Sequence, residues 1–403
     1  MQSKAFRNLI TQTIRAQATA TPRCPHAGEC GGCAFQDRDY LGQVAAKGAV
    51  LSQIWDDATL PEAIRPPQLP IPVIASPDPY AYRTRMDYVA TKGRFGLRMR
   101  GRFNYIVDLT QCHLLPPNGL ASVLALWHHA RTLGLPDYNI RDHTGFLRYL
   151  VVRRSPDDHL LLAAVTAAKP EHTEAMEALA ALALAQPGVI SFHWLINDSL
   201  TDLSFGTPLQ AWGEPTLPMR VGDHTLLIGP NTFFQNNVYL LLPLLDAIKA
   251  EVDGGMIADL YGGVGTIALH IANQAAQIVT VESVEESSQL ARENSARNGY
   301  RNIEAVCADV AAFLRTQPIA HFATIIADPP RIGLGPDVCA ELLRLHPQRI
   351  IYVSCNPITQ QADLLQLASG YRLTSLVGYD MFPHTLHMEA VAVLDWAGAE
   401  DTA

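Results

Sequence analysis

The chain has 403 residues, enough for two or three domains, and 48% of them are hydrophobic, ample for packed cores. No run of about eighteen uncharged apolar residues occurs, which argues against a membrane-spanning helix. The net charge of −9 is unevenly spread: 21 Lys+Arg face 20 Asp+Glu in residues 1–229, and 9 face 19 in residues 230–403, so a polyanionic partner for the first half is not excluded.

The first twenty residues, MQSKAFRNLITQTIRAQATA, are polar and weakly helical and lack the apolar centre of a secretory signal. A cytoplasmic protein with no membrane partner is therefore expected. The loop RCPHAGECGGC follows, with Cys24, Cys30 and Cys33 spaced Cys-x5-Cys-x2-Cys; Cys112 stands apart in DLTQCHLLPP. An odd total of seven cysteines without a secretory signal argues against a disulfide framework. Three clustered thiols and one distant partner can supply four thiolates to zinc or to an iron–sulfur cluster. Spacing alone does not choose, but zinc sites usually carry two short Cys knuckles and only one is present, which favours [4Fe–4S]. His26 and His113 are neighbours able to replace one ligand.

Residues 35–57 read as a helix, with Tyr40, Val44, Val50, Leu51 and Ile54 on its apolar side. Five prolines between Pro61 and Pro72 mark a linker. From residue 71 to 228 the pattern is mostly short strands, interrupted by helical stretches at 118–133 and 171–185. MDYVATKGRFGLRMRGRFNYIVDL reads as consecutive hairpins, FLRYLVVRRSPDDHLLLAAVTAA as two strands, and FFQNN resumes strand character. Residues 83–102 hold seven basic residues against Asp87 alone, with Tyr82, Tyr88, Phe95 and Phe103 among or beside them. Such a stretch can neutralise phosphates and stack bases, or form a solvated hairpin face.

After residue 230 the pattern becomes helix–strand alternation: MIADL, QIVTVES, NIEAVCAD, HFATIIAD and RIIYVSC are strands separated by helices, and YRLTSLVGYD and MEAVAVLDW close the unit. This predicts a doubly wound, Rossmann-like α/β domain, with ligands at the carboxyl ends of its strands. Three segments are expected: 1–70, a cysteine-rich cluster arm and helix; 71–229, a central β-rich RNA-binding domain that contributes Cys112; and 230–403, the α/β domain.

The chemistry sits at the strand ends. DLYGGVG places a glycine turn between strand and helix, where backbone can approach a nucleoside cofactor closely. Glu282, at the next strand end, would grip ribose hydroxyls in either an NAD or an S-adenosylmethionine site. Asp309 stands where an adenine amine could sit, or caps a helix. Asp328-Pro329-Pro330-Arg331 favours a methyltransferase for planar nucleobases, because the prolines hold an extended backbone beside the substrate. Cys355, in IIYVSCNP, completes the set. Carbon 5 of a pyrimidine is a poor nucleophile until a thiolate adds to carbon 6, and a base must later remove the carbon 5 proton. Glu389 is the candidate base; His384 and His387 are alternatives.

These blocks resemble the RNA uridine-C5 methyltransferase family: DLYGGVGT, ADPPR, SCNP, DMFPHT-x-HMEAV, FFQNN and the four cysteines span the chain from Cys24 to Leu394. The resemblance implies an S-adenosylmethionine-dependent enzyme making 5-methyluridine in structured RNA, with Cys355 as nucleophile and Glu389 as base. It implies cofactor contacts from Gln235, Tyr261, Glu282, Asp328 and Asp309, and a [4Fe–4S] cluster on Cys24, Cys30, Cys33 and Cys112. Many members carry Phe-Cys where this chain has Tyr261-Gly262. Cluster cysteines without the small N-terminal β-barrel of several ribosomal members look more like the shorter 23S rRNA enzymes, with tRNA the other target. A monomer with no obligate protein partner is expected. Two competing readings are a cytosine-C5 methyltransferase, disfavoured because Ser354-Cys355-Asn356 lacks a Pro-Cys setting, and an RNA-binding iron–sulfur protein without catalysis, disfavoured by Cys355 and Glu389 together.

Overall fold

The computed structural model describes residues 3–398, so residues 1–2 and 399–403 of the two outer segments lie outside it. The chain opens with α1 (Ser3–Arg15), whose Phe6, Ile10 and Ile14 recur every four residues and are all buried. The cysteine loop leads to α2 (Tyr40–Trp55). Asp39 caps α2 by accepting from the Gly42 amide at 2.8 Å, which is why the helix starts later than residue 35. Next comes the short strand β1 (Val73–Ile74).

Strands β2 (Arg85–Thr91), β3 (Arg94–Met99) and β4 (Arg102–Asp108) are consecutive hairpins. Helix α3 (Pro117–Thr132) precedes β5 (Leu147–Arg154) and β6 (Leu160–Thr166), and α4 (Thr173–Leu184) crosses over to β7 (Val189–Ile196), followed by β8 (Thr207–Gly213). They form a seven-stranded sheet, β4-β3-β2-β5-β6-β7-β8, antiparallel except for β6–β7. Both faces of β5 and β6 are buried. One set of alternate residues packs with α3 and α4, and the other packs toward the hairpin β9 (Leu217–Val221) and β10 (His224–Ile228).

The α/β part runs α5 (Leu241–Ala250), β11 (Met256–Leu260), α6 (Thr266–Ile271), β12 (Gln277–Glu282), α7 (Glu285–Arg297), β13 (Ile303–Cys307), α8 (Val310–Arg315), β14 (Thr324–Ala327), α9 (Gly335–Leu345), β15 (Arg349–Ser354), α10 (Pro357–Leu367), β16 (Tyr371–Tyr379) and β17 (Glu389–Trp396). Its eight-stranded sheet has the order β1-β16-β17-β15-β14-β11-β12-β13. Strands β11 to β15 are parallel, as continuous apolar runs such as TIIA and IIYV require for burial on both faces. Strand β17 inserts antiparallel between β15 and β16.

Two features depart from chain order. Strand β1 pairs with β16 at the edge of the C-terminal sheet, and α1 and α2 share a core with that sheet rather than forming a separate arm. FFQNN is not a strand. Thr84 takes its backbone partners instead, with Thr84 N donating to Asn236 O at 3.2 Å and Thr84 Oγ1 to Gln235 O at 3.0 Å. The segment is a bridge between the two sheets, and polar amides suit that position better than a ladder.

Candidate active site

Register brings the candidate residues to one edge. Leu260 of β11 pairs with Ala327 of β14, and Ala327 with Tyr352 of β15, so the residues that follow, Tyr261, Asp328 and Cys355, leave neighbouring strands on the same side. Strand β17 runs the other way and pairs Ala390 with Ser354, which puts its first residue, Glu389, beside Cys355. An antiparallel strand inserted among parallel ones thus delivers its amino end where the others deliver their carboxyl ends.

Gln235, Tyr261 and Asp328 line one pocket, about 480 Å³ with its open mouth, together with Gly262 and Gly263. Gln235 Nε2 donates to Asp328 Oδ2 at 2.8 Å. Burial pushes the Asp328 carboxyl up, and the Gln235 bond works against that. The turn is shaped for close approach: a Cβ on Gly262 would lie 1.9 Å from Thr280 Oγ1. Glycine is therefore required beside Thr280, and a cysteine at that position needs a smaller neighbour. Glu282 closes the turn by accepting from the Gly263 amide at 3.2 Å and the Val284 amide at 2.8 Å. Asp309 caps α8, accepting from the Ala312 amide at 2.9 Å. Its carboxylate is thus engaged in the helix-cap role weighed from sequence, although its charge still helps push Tyr261, mainly raised by burial, to about 12.

Cys355 opens into a second cavity, about 730 Å³ with its mouth, alongside Arg331, Asn356, His387 and, from α1, Phe6 and Arg7. Burial, then the Glu389 carboxylate, raise the Cys355 thiol to about 11, with Arg331 opposing and Asp328 adding to the rise. Glu389 is 3% exposed and its Oε2 has no partner among the described residues. Burial, reinforced by Asp328 and opposed by Arg331, holds its carboxyl well above the usual range. An unpartnered buried carboxyl aimed at a reactive site is costly for stability alone and suited to moving a proton. His384 and His387 are poor bases by comparison, because burial holds both down at about 4. Asn356 caps α10 and also donates to the Arg331 carbonyl at 3.1 Å, tying the two strand-end loops together.

Sequence reasoning missed what holds the Glu389 loop. Lys47 of α2 is completely buried; its Nζ bonds Asp380 Oδ1 at 2.5 Å and the carbonyl of His387 at 2.7 Å. The cysteine loop touches the same segment, with the Ala34 amide donating to the His384 carbonyl at 2.7 Å.

Cys24, Cys30, Cys33 and Cys112 line one cavity with Gln36 and His113, so the distant fourth cysteine does meet the loop. Among the described residues, however, no group of three or more His, Cys, Asp or Glu side chains converges closely enough to hold a metal ion. Burial raises Cys30 to about 11 and Cys33 to about 12, and the neighbouring thiols push both the same way. Hydrogen bonds with Gly32 and Gln36 oppose that rise, as does Arg83 at Cys33.

The basic stretch is divided. Tyr82, Tyr88 and Phe95 are core residues and cannot stack bases, whereas Phe103 is exposed. Arg98 is paired with Asp202 and lies over the Phe103 ring, and Arg85 is paired with Asp87. Arg100 and Arg102 remain toward a broad groove that also includes Arg85, Thr385 and His387. The groove meets the Cys355 cavity at Leu386 and His387. No helix among the described residues is long and apolar enough to cross a membrane.

The tRNA (Uracil-5-)-methyltransferase family matches residues 226–396. A curated relative from Pyrococcus abyssi, tRNA (uracil(54)-C(5))-methyltransferase, is 32% identical over 93% of this chain and 85% of its own. An uncharacterized RNA methyltransferase from Nitratidesulfovibrio vulgaris is 33% identical over 94% of this chain and 84% of its own. The crystal structure of a P. abyssi tRNA (uracil-54, C5)-methyltransferase with S-adenosyl-L-homocysteine superposes with a TM-score of 0.76 at 31% identity, over 91% of this chain and 86% of that one. By likeness over nearly its whole length, in both sequence and fold, the chain belongs to the RNA uridine-C5 methyltransferase family.

Proposed function

We propose that this protein transfers a methyl group from S-adenosylmethionine to carbon 5 of a uridine in structured RNA, through a covalent adduct between Cys355 and carbon 6. The observation that carries the reading is the meeting, at one sheet edge, of a thiol, a cation and two buried carboxyls: Cys355, Arg331, Asp328 and Glu389. Gln235, Tyr261, Glu282 and Asp328 would hold the cofactor, with Asp309 supporting Tyr261 from its cap position. When bound, S-adenosylmethionine would supply an electrophilic methyl on a sulfonium, with the neutral thioether S-adenosylhomocysteine as the leaving group.

The residues then have separate tasks. Cys355 gives its proton to water at the open mouth of its cavity, and its sulfur adds to carbon 6, leaving the ring as an enolate nucleophilic at carbon 5. Arg331 bears on the thiolate and opposes the carboxyl groups that raise the thiol. Once carbon 5 carries the methyl, ionised Glu389 takes the remaining proton. The electron pair of that C–H bond reforms the 5,6 double bond and the C6–S bond breaks to release Cys355 as thiolate. A carboxylate desolvated as Glu389 is has a stronger pull on that proton than one in water.

Cys24, Cys30, Cys33 and Cys112, which line one cavity, would hold a [4Fe–4S] cluster. It would supply a rigid cross-link between the N-terminal loop and Cys112, and no step above uses it. The preferred RNA is tRNA. Relatives matched over about 85% of their length carry that name, which weighs more than the likeness to 23S rRNA enzymes drawn from cluster cysteines without the β-barrel. Methyl transfer from labelled cofactor to separate tRNA and rRNA pools, read as 5-methyluridine by mass spectrometry, is the test. Methyl in tRNA is expected. Methyl in rRNA only would reverse the target, 5-methylcytidine would reverse the base, and label in neither pool would leave an RNA-binding protein without this activity.

A further inference from the structure

The Cys355 cavity has a wall that the strand-end motifs do not account for. Phe6 and Arg7, from α1, line it opposite the residues of the SCNP and HTLHM segments. The helix cannot drift from that place easily. Phe6, Ile10 and Ile14 are buried in the core shared with the eight-stranded sheet, and Arg15 at its other end pairs with Asp37 and donates to the Ala34 carbonyl. Its sequence, SKAFRNLITQTIR, contains three basic residues and no acid.

Arg7 is exposed, and among the described residues its guanidinium has neither an ion pair nor a hydrogen bond. The contrast with Arg85 and Arg98, each engaged by a carboxylate, is direct. Arg7 is also near enough to the catalytic loop to act on it: after burial and the charges of Arg331 and Lys47, Arg7 helps hold His387 down. Leu386 and His387 belong to both the Cys355 cavity and the broad groove carrying Arg100 and Arg102. A strand laid along that groove would therefore pass over the mouth of the Cys355 cavity and continue toward α1. A base that turns inward leaves its flanking phosphates at the mouth, one on each side. Arg100 and Arg102 line one of the two joined cavities and Arg7 lines the other.

We propose that α1 is the far wall of the target-nucleotide pocket and that Arg7 binds the RNA phosphodiester beside the uridine that enters it. This rests on the proposed function for the identity of the base, but the phosphate contact is testable without turnover. The probe is an unmodified tRNA transcript, titrated with the full-length protein at several salt concentrations, and the variants are Arg7→Ala, Arg7→Glu and Arg7→Lys. Arg7→Ala is expected to weaken RNA binding roughly tenfold at low salt. It should lower the slope of log affinity against log salt by about 0.7 to 0.9. Arg7→Glu should weaken binding further and Arg7→Lys should restore most of it. The melting temperature and the affinity for S-adenosylhomocysteine should match the wild type, since Arg7 is outside both the core and the cofactor cavity. Unchanged RNA affinity and salt slope in both Arg7→Ala and Arg7→Glu would overturn the proposal, as would a wild type that binds no tRNA. A wild type that binds tRNA with the expected Arg7 dependence but transfers no methyl would instead count against the proposed function alone.

Discussion

Two groups of thiols lie in this molecule, and burial raises both, yet their surroundings ask for different chemistry. Around Cys355 the neighbours are unlike: Glu389 and Asp328 push the thiol up and Arg331 pulls it down. Protons have somewhere to go there, and the balance can shift when a substrate enters. Around Cys30 and Cys33 burial is the main cause, hydrogen bonds with Gly32 and Gln36 oppose it, and other cysteines add to the rise, with Arg83 also opposing at Cys33. The like-charged neighbours of Cys30 and Cys33 are thus other cysteines, whereas those of Cys355 are carboxylates. The comparison sets a thiol among carboxylates apart from thiols among thiols, although both lie beside the segment from Asp380 to Glu389.

The largest effect should come from removing the reactive member of the first group. Cys355→Ser should abolish methyl transfer and form no protein–RNA adduct, because a neutral hydroxyl is a far weaker nucleophile than a thiolate. Glu389→Gln should lose roughly 10²- to 10⁴-fold in turnover but still attack, so a methylated protein–RNA species should accumulate on a denaturing gel. An adduct that persists in Cys355→Ser would assign the nucleophile to another residue and dissolve the contrast.

Next comes the frame behind the reactive site. Lys47 and Asp380 are both fully buried, so Lys47→Met leaves a carboxyl without its cation and should cost about 3–5 kcal/mol of stability in denaturant titration. Lys47→Met with Asp380→Leu should recover most of that. If the double variant is stable yet still slow at resolving the adduct, the ion pair positions Glu389 rather than merely supporting the fold.

The clustered thiols give the third test. Cys33→Ser should lower iron content after anaerobic preparation by at least the roughly ten- to hundredfold that losing even an outer partner of a metal site costs. Because the Ala34 amide bonds the His384 carbonyl, the loss should also slow methyl transfer while leaving cofactor affinity intact. Stoichiometric zinc in the wild type, with no iron, would keep the contrast but change the centre.

How far the sequence shows this contrast depends on where each signal sits. The reactive site is legible because parallel strands are apolar runs with abrupt polar ends, so Asp328 and Cys355 stand out at the punctuation. Spacing groups Cys24, Cys30 and Cys33, and the fold brings Cys112 to the same cavity. Lys47 is not, because a lone lysine in a helix ordinarily faces water, and only the tertiary partner Asp380, 333 positions away, makes burial tolerable. Helix α1 has its signal in Phe6, Ile10 and Ile14, but its short length and polar composition hide it. The basic stretch shows the opposite failure. Strand alternation sends Met86, Tyr88 and Ala90 inward, so aromatic residues that read as a stacking surface are core.

The smallest effect is the one most specific to the contrast, the pH dependence of Cys355 in the free protein. Its thiol is raised to about 11, so only a small fraction is thiolate near neutrality, and an acid with a raised pKa gains its reactive form only as pH climbs. Alkylation of Cys355 by iodoacetamide, followed by peptide mass spectrometry, should therefore accelerate about tenfold per pH unit from pH 7 to near 10, rise less steeply to about 11 and level off above that. Arg331→Gln removes the opposing cation and should move the whole profile to higher pH, while Glu389→Gln removes a carboxylate and should move it lower. The shifts have opposite signs because the two groups act on the thiolate with opposite charge. A profile indifferent to both substitutions would mean that burial alone sets the thiol, and Cys355 would then resemble the clustered cysteines more than the surroundings of its sulfur suggest.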